Sequence, residues 1–122
     1  MKTIRKKTIN PELDLIKRLL KRKFNENHAP IWNTLINIFR RSKHKRIAIN
    51  LSKINRYSEK GDTVIVPGKV LGSGMINHPV YIAALSFSKV ARTKILSIEG
   101  ACLTIPEIIE KNPIGTSIKI LG

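Results

Sequence analysis

Gly68-Lys69 and Gly72-Ser73-Gly74 are the first residues whose type and spacing suggest a phosphate site. A nucleotide-binding loop needs G-x-x-x-x-G-K-[ST], with backbone amides around the phosphates and a hydroxyl on the metal. Here Gly61 lies too far upstream of Gly68, and Val70 stands where that hydroxyl belongs. Gly72-Ser73-Gly74 follows a strand signal but opens no helix, so the dinucleotide fingerprint fails as well. Turn geometry is the simplest role for these glycines, with amides open to an RNA phosphate as the functional alternative. His28, His44 and His78 have no Cys or acidic residue at ligand spacing, so no metal is expected. Cys102, between Ala101 and Leu103, suits a small buried hydrophobe better than a nucleophile, and one cysteine allows no internal disulfide. There is no Gly-x-Ser-x-Gly elbow and no paired-carboxylate signature. The expectation is a protein that is not an enzyme, with no cofactor and no small-molecule substrate.

The chemistry that stands out is cationic. Twenty-three Lys and Arg against eight Asp and Glu leave a net charge of +15 in 122 residues. Such a field attracts polyanions, of which nucleic acid is the commonest in a cell. Residues 1–60 hold seventeen basic and four acidic residues, net +13, and residues 61–122 hold six and four, net +2. Candidate nucleic-acid contacts are therefore Lys2, Arg5, Lys6 and Lys7 near the start, Lys17, Arg18, Lys21 and Arg22 in the first helical pattern, and the run Arg40, Arg41, Lys43, His44, Lys45 and Arg46. Trp32 and Phe39 fall in an apolar stripe and belong to a core. Tyr57, next to Arg56, is the better candidate for stacking on a base. With six aromatic residues in the chain, phosphate recognition and shape fit are favoured over stacking platforms.

The elements that must position these residues are legible in outline. Residues 1–8 are basic without apolar period and read as an arm that orders on a partner. Asn10-Pro11-Glu12 starts a helix whose stripe is Leu13, Ile16, Leu20 and Phe24. Pro30 opens a second, with Trp32, Leu35, Ile36 and Phe39, and the two are expected to form an antiparallel pair. Ile47–Leu51 reads as a strand, and Ser52 as the cap of a helical turn through Arg56. Thr63–Val66 reads as a strand ended by Pro67-Gly68, and residues 67–79 as an irregular loop. Val80–Leu85 is the next strand. A helix capped by Ser86 or Ser88 runs to Ile98, with Gly100 as its stop. Ala101–Leu103 is a strand, Thr104-Ile105-Pro106-Glu107 a capping box, Asn112-Pro113 a helix end, and Ile118–Leu121 the last strand. The alternation predicts an α/β fold with a mostly parallel sheet, preceded by basic helices. One domain over 1–122 is expected, made of a basic arm (1–8), a basic helical section (9–46) and an α/β core (47–122).

The segments Asn50-Leu51-Ser52-Lys53-Ile54-Asn55-Arg56, Val64-Ile65-Val66-Pro67-Gly68-Lys69-Val70-Leu71-Gly72-Ser73-Gly74 and Ala83-Ala84-Leu85-Ser86-Phe87-Ser88 closely resemble the large-subunit ribosomal protein family L-eighteen of archaea and eukaryotes, a relative of bacterial L-fifteen. The resemblance runs from about residue 8 to residue 120, and the compact length is similar to archaeal members. It implies a non-catalytic protein of the large ribosomal subunit, bound to rRNA beside other ribosomal proteins in the cytoplasm. It also implies an irregular β-β-α winding, and RNA contacts at Lys53, Arg56 and Lys69. Two readings of other classes compete with it. One is a basic DNA-binding or chromatin-compacting protein, which would share the charge but not need the glycine-rich loop. The other is a small RNA-processing enzyme, for which no acid or histidine offers itself. No apolar run is long enough to span a membrane, and the basic start lacks the apolar stretch of a secretory signal.

Overall fold

Two proline-led helices open the described part of the chain, which in the computed structural model comprises residues 11–41 and 47–122. Helix α1 (Pro11–Asn27) has Glu12 and Asp14 in its first turn, where carboxylates suit the positive end of the helix. It closes at His28, which takes a left-handed φ of 56° while its N–H returns to the Phe24 carbonyl at 2.6 Å. Only His28 and Ala29 separate it from α2 (Pro30–Arg40), so the two helices fold back on one another. The expected arm at residues 1–8 and the cations of 43–46 lie outside the described residues.

The rest alternates: β1 (Ala48–Asn50), α3 (Leu51–Tyr57), β2 (Thr63–Leu71), β3 (Tyr81–Phe87), α4 (Lys89–Ser97), β4 (Ala101–Thr104), α5 (Ile105–Lys111) and β5 (Ile118–Ile120). The sheet order is β1-β2-β3-β4, with β5 also on β2, and every described pairing is parallel. Parallel sheets need both faces covered, and side chains alternate between them. Ile65 and Ala83 point into one apolar cluster with Ile16, Leu20, Trp32, Leu35 and Phe39 of α1 and α2 and Ile105, Ile108 and Ile109 of α5. Val64, Val66, Ile82 and Ala84 point into the other, with Leu51 and Ile54 of α3 and Ala91 and Ile95 of α4. The result is a three-layer α/β/α arrangement, in agreement with the α/β class expected from the alternation.

Three local expectations are corrected. Pro67-Gly68 does not end β2; the strand continues to Leu71 across a register shift between Val66 and Lys69. That irregularity accommodates the missing proline N–H. It also divides one edge of β2: Thr63–Ile65 pair with β5, and Lys69–Leu71 pair with β1. Gly68 is required there because any Cβ would collide with the carbonyl oxygen of Ile47, which accepts the Lys69 N–H at 3.0 Å. Ser52 is not a cap; Asn50 occupies the cap position of α3 and Ser52 lies inside the helix. Gly100 is not the left-handed stop of α4. Glu99 takes that conformation (φ 65°), and Gly100 instead lets the Val80 carbonyl approach to 2.7 Å of where a Cβ would stand. The caps that were expected and found are Ser88, accepting from Ala91 N at 3.1 Å, and the reciprocal Thr104–Glu107 box.

Candidate nucleic-acid interface

Helix α1 presents its cations along exposed ridges because its buried stripe is narrow, with Ile16 and Leu20 fully enclosed. Lys17 is half-buried, and Arg18, Lys21 and Arg22 are exposed. Spacing of three and four residues brings these four side chains onto adjoining rows of one helix surface. The Arg18–Asp14 pair (3.4 Å) is exposed on both sides, so it holds Arg18 only weakly. Arg40 and Arg41 are exposed where α2 ends, at the point from which the basic run leaves.

The three positions carried over from the family resemblance are not one cluster. Parallel strands point their carboxyl ends the same way, and at that edge the chain turns into α3, α4 and α5. Lys53, half-buried in the first half of α3, and exposed Lys69 of β2 belong to this edge. Arg56 sits toward the far end of α3, its guanidinium 5.6 Å from the Tyr57 ring centre. There the Tyr57 carbonyl accepts from Lys119 Nζ at 3.3 Å, and Lys119 also pairs with Asp62 at 2.9 Å. The hydrogen bond from Lys119 holds the Asp62 carboxyl below its usual range, helped by the Glu59 N–H, and raises the Lys119 ammonium in return. Tyr57 is half exposed, so its ring and the Arg56 plane form a joint surface. Trp32 and Phe39 are fully buried, as a core stripe requires.

The glycine-rich loop is shaped by packing. Gly74 has φ +87°, and a Cβ there would meet Ser52; at Gly72 a Cβ would come within 2.6 Å of Val90 Cγ1. Ser52 N–H donates to Ser73 O at 3.1 Å, fastening the loop to α3. Lys94 Nζ donates to Gly72 O (2.8 Å) and Gly74 O (2.9 Å), fastening it to α4. Sequence reasoning missed Lys94, because nothing local marks a lysine that reaches back twenty residues to carbonyls. It also missed Lys89 and Arg92, whose charges vanish in the low net charge of the second half. Their signal was the position just after the Ser88 cap, at the head of a helix.

The remaining candidates carry little chemistry. Burial pushes the Cys102 thiol upward, away from a reactive thiolate, although Arg92 opposes the shift. His78 lies within 3.0 Å of Ser58 Oγ and 3.2 Å of Asn77 Oδ1, consistent with a loop residue. Among the described residues no three His, Cys, Asp or Glu side chains converge, and no helix is long and apolar enough to cross a membrane. Lys2, Arg5, Lys6, Lys7, Lys43, His44, Lys45 and Arg46 lie outside the described residues.

Residues 2–122 match the family model for ribosomal protein 60S L18 and 50S L18e. The chain is 46% identical over 112 residues to the large ribosomal subunit protein eL18 of Methanoregula boonei, covering 92% of this chain and 93% of that one. Its counterpart in Methanothermobacter thermautotrophicus gives the same identity and coverage. That of Methanosphaerula palustris is 43% identical over 119 residues, 98% of each chain.

Proposed function

The chain belongs to the family of ribosomal protein 60S L18 and 50S L18e, and from that premise we propose that it grips folded rRNA chiefly through phosphate contacts made by its basic N-terminal section. It is a structural constituent of the large ribosomal subunit, a partner of rRNA and of neighbouring ribosomal proteins, and not an enzyme. The observation that carries the mode of binding is the segregation of charge, net +13 in residues 1–60 against +2 in residues 61–122. The contacts are assigned to Lys17, Arg18, Lys21, Arg22, Arg40 and Arg41, with the cations of residues 2–7 and 43–46, and with Lys53, Arg56 and Lys69 of the core. We take residues 1–122 as one domain, because α1 and α2 bury their stripes against the sheet that the rest of the chain builds.

Phosphate contacts release counterions, so log affinity falls linearly with log salt by roughly 0.7 to 0.9 per contact. Titration of large-subunit rRNA with the full chain at a series of salt concentrations should give a steep slope, equivalent to about six to eight contacts. Competition by duplex DNA at matched salt should be weak, which separates this protein from a DNA-compacting one. A nearly flat slope, or equal affinity for duplex DNA, would overturn the reading.

A further inference from the structure

Residues 47–122 carry nine cations and five carboxylates, and the fold sorts them by the two ends of the sheet. At the amino ends of the strands the charges balance. Glu59, Lys60 and Asp62 lead into β2, Glu99 leads into β4, and Glu110 and Lys111 finish α5. Arg56 and Lys119 complete this end, where Lys119 is ion-paired with Asp62. That makes four cations and four carboxylates. The carboxyl ends carry the other five cations, Lys53, Lys69, Lys89, Arg92 and Lys94, against Glu107 alone. Glu107 is already engaged, its carboxylate accepting from Thr104 N at 2.7 Å, which holds its pKa low. Lys94 is engaged too, on the Gly72 and Gly74 carbonyls.

Four cations remain at this edge, and none of them is ion-paired among the described residues. Their backbones are tied together. Lys69 lies beside Ser86 in register, and Val70 O accepts the Ser88 N–H at 2.9 Å, immediately before Lys89. The Arg92 guanidinium lies 5.2 Å from the centre of the Phe87 ring, and Phe87 is the register partner of Val70. The bond from Ser52 N to Ser73 O joins the helix of Lys53 to the loop that follows β2. Adjacent strands lie about 4.8 Å apart, so three strands spread these charges over roughly 10 Å. The edge is also where open α/β sheets ordinarily receive ligands.

We propose that the carboxyl edge of the sheet is a second RNA-contacting surface, in which Lys53, Lys69, Lys89 and Arg92 take backbone phosphates, while at the charge-balanced amino edge Lys60, Lys111 and Lys119 make no phosphate contact. The proposal rests on the rRNA-binding reading above and extends it to two residues, Lys89 and Arg92, in the half of the chain with little net charge. Lys94 acts there as a positioning residue that holds the loop in place.

The test compares two triple variants of the full chain that remove equal charge. One is Lys69→Gln, Lys89→Gln and Arg92→Gln, and the other is Lys60→Gln, Lys111→Gln and Lys119→Gln. Both are titrated against transcribed large-subunit rRNA over a salt series, with melting curves as the control for folding. Because Arg92 packs on Phe87, the pair Lys69→Gln and Lys89→Gln is run beside the first triple. The expected result is a slope flatter by about two units for the carboxyl-edge triple, and by somewhat over one for the pair. The amino-edge triple should keep the wild-type slope. Equal flattening in both triples would mean that only net charge matters, and no change in the carboxyl-edge triple would place all contacts elsewhere; either result overturns the proposal. Failure of the wild-type chain to bind rRNA with a salt slope would instead overturn the underlying reading.

Discussion

Helices α1 and α2 leave one tight turn and meet the same sheet face, yet they do opposite work. The seventeen residues of α1 fully bury Ile16 and Leu20, leave Leu15 nearly half exposed, and carry five cations. The eleven residues of α2 bury Trp32, Leu35, Ile36 and Phe39 and carry one, Arg40 at the end. Each large apolar side chain removed from water contributes about 1.5–3 kcal/mol, so the shorter helix supplies the larger share of the stabilisation. Trp32 adds a directed bond, its indole N–H donating to Pro113 O at 2.7 Å just beyond α5. The contrast teaches that amphipathicity alone does not assign a role. Both stripes have helical spacing, but one anchors the domain and the other mainly holds a cationic surface in place.

The largest expected effect breaks the anchoring helix. Trp32→Ala removes a fully buried ring and orphans the Pro113 carbonyl, and should cost about 3–5 kcal/mol in a denaturant titration. The matched probe on α1, Leu15→Ala, should cost under about 1 kcal/mol, since much of that side chain is already in water. Similar losses at both positions would erase the distinction.

A smaller effect tests how far α2 depends on α5, which is followed two residues on by the Pro113 carbonyl that Trp32 uses. Thr104→Ala removes the hydroxyl that accepts from Glu107 N, and should cost about 1 kcal/mol at neutral pH. The other half of the box titrates. The Thr104 N–H holds the Glu107 carboxyl below its ordinary range, and Lys119 does the same for Asp62. A lowered folded-state pKa means stability that is complete above the unfolded-state value and is lost as pH falls through the folded one. Melting curves should therefore decline on acidification below the usual carboxylate range, and Glu107→Gln should make that decline shallower. An unchanged acid limb would remove the box from the account.

The smallest effect on stability is expected on the cationic ridge. Lys21→Ala with Arg22→Ala should shift the unfolding free energy by no more than about 0.5 kcal/mol. The same pair should flatten the rRNA salt slope by about 1.4 to 1.8 units if both side chains meet phosphate. A marked loss of stability without a change of slope would make α1 a second anchor.

Much of the fold was legible because its signals are local. Proline at a first turn, Ser88 as a cap, the Thr104–Glu107 box and helical apolar spacing each act within four residues. The errors came where a distant partner decides. Pro67-Gly68 reads as a strand end on local grounds, but β1 and β5 supply partners on both sides of the irregularity and carry the strand through it. Gly100 reads as a helix stop, yet its constraint is the neighbouring Val80 carbonyl. The interface was legible in the same measure. Charge runs named α1 and the 40–46 segment, but only the register of β2 with β3 gathers Lys69, Lys89 and Arg92 at one edge and leaves Arg56 toward the other.

The divided edge of β2 also sets an order in time. The partner of Lys69–Leu71 is β1, made before β2, whereas the partner of Thr63–Ile65 is β5, which lies at residues 118–120. During synthesis the first half of that edge therefore stays open until residues 118–120 have emerged, a long-range closure that comes late in folding. An open strand edge is a place where a second nascent chain can pair. Three residues distant in sequence, Ile118 to Ile120, close it.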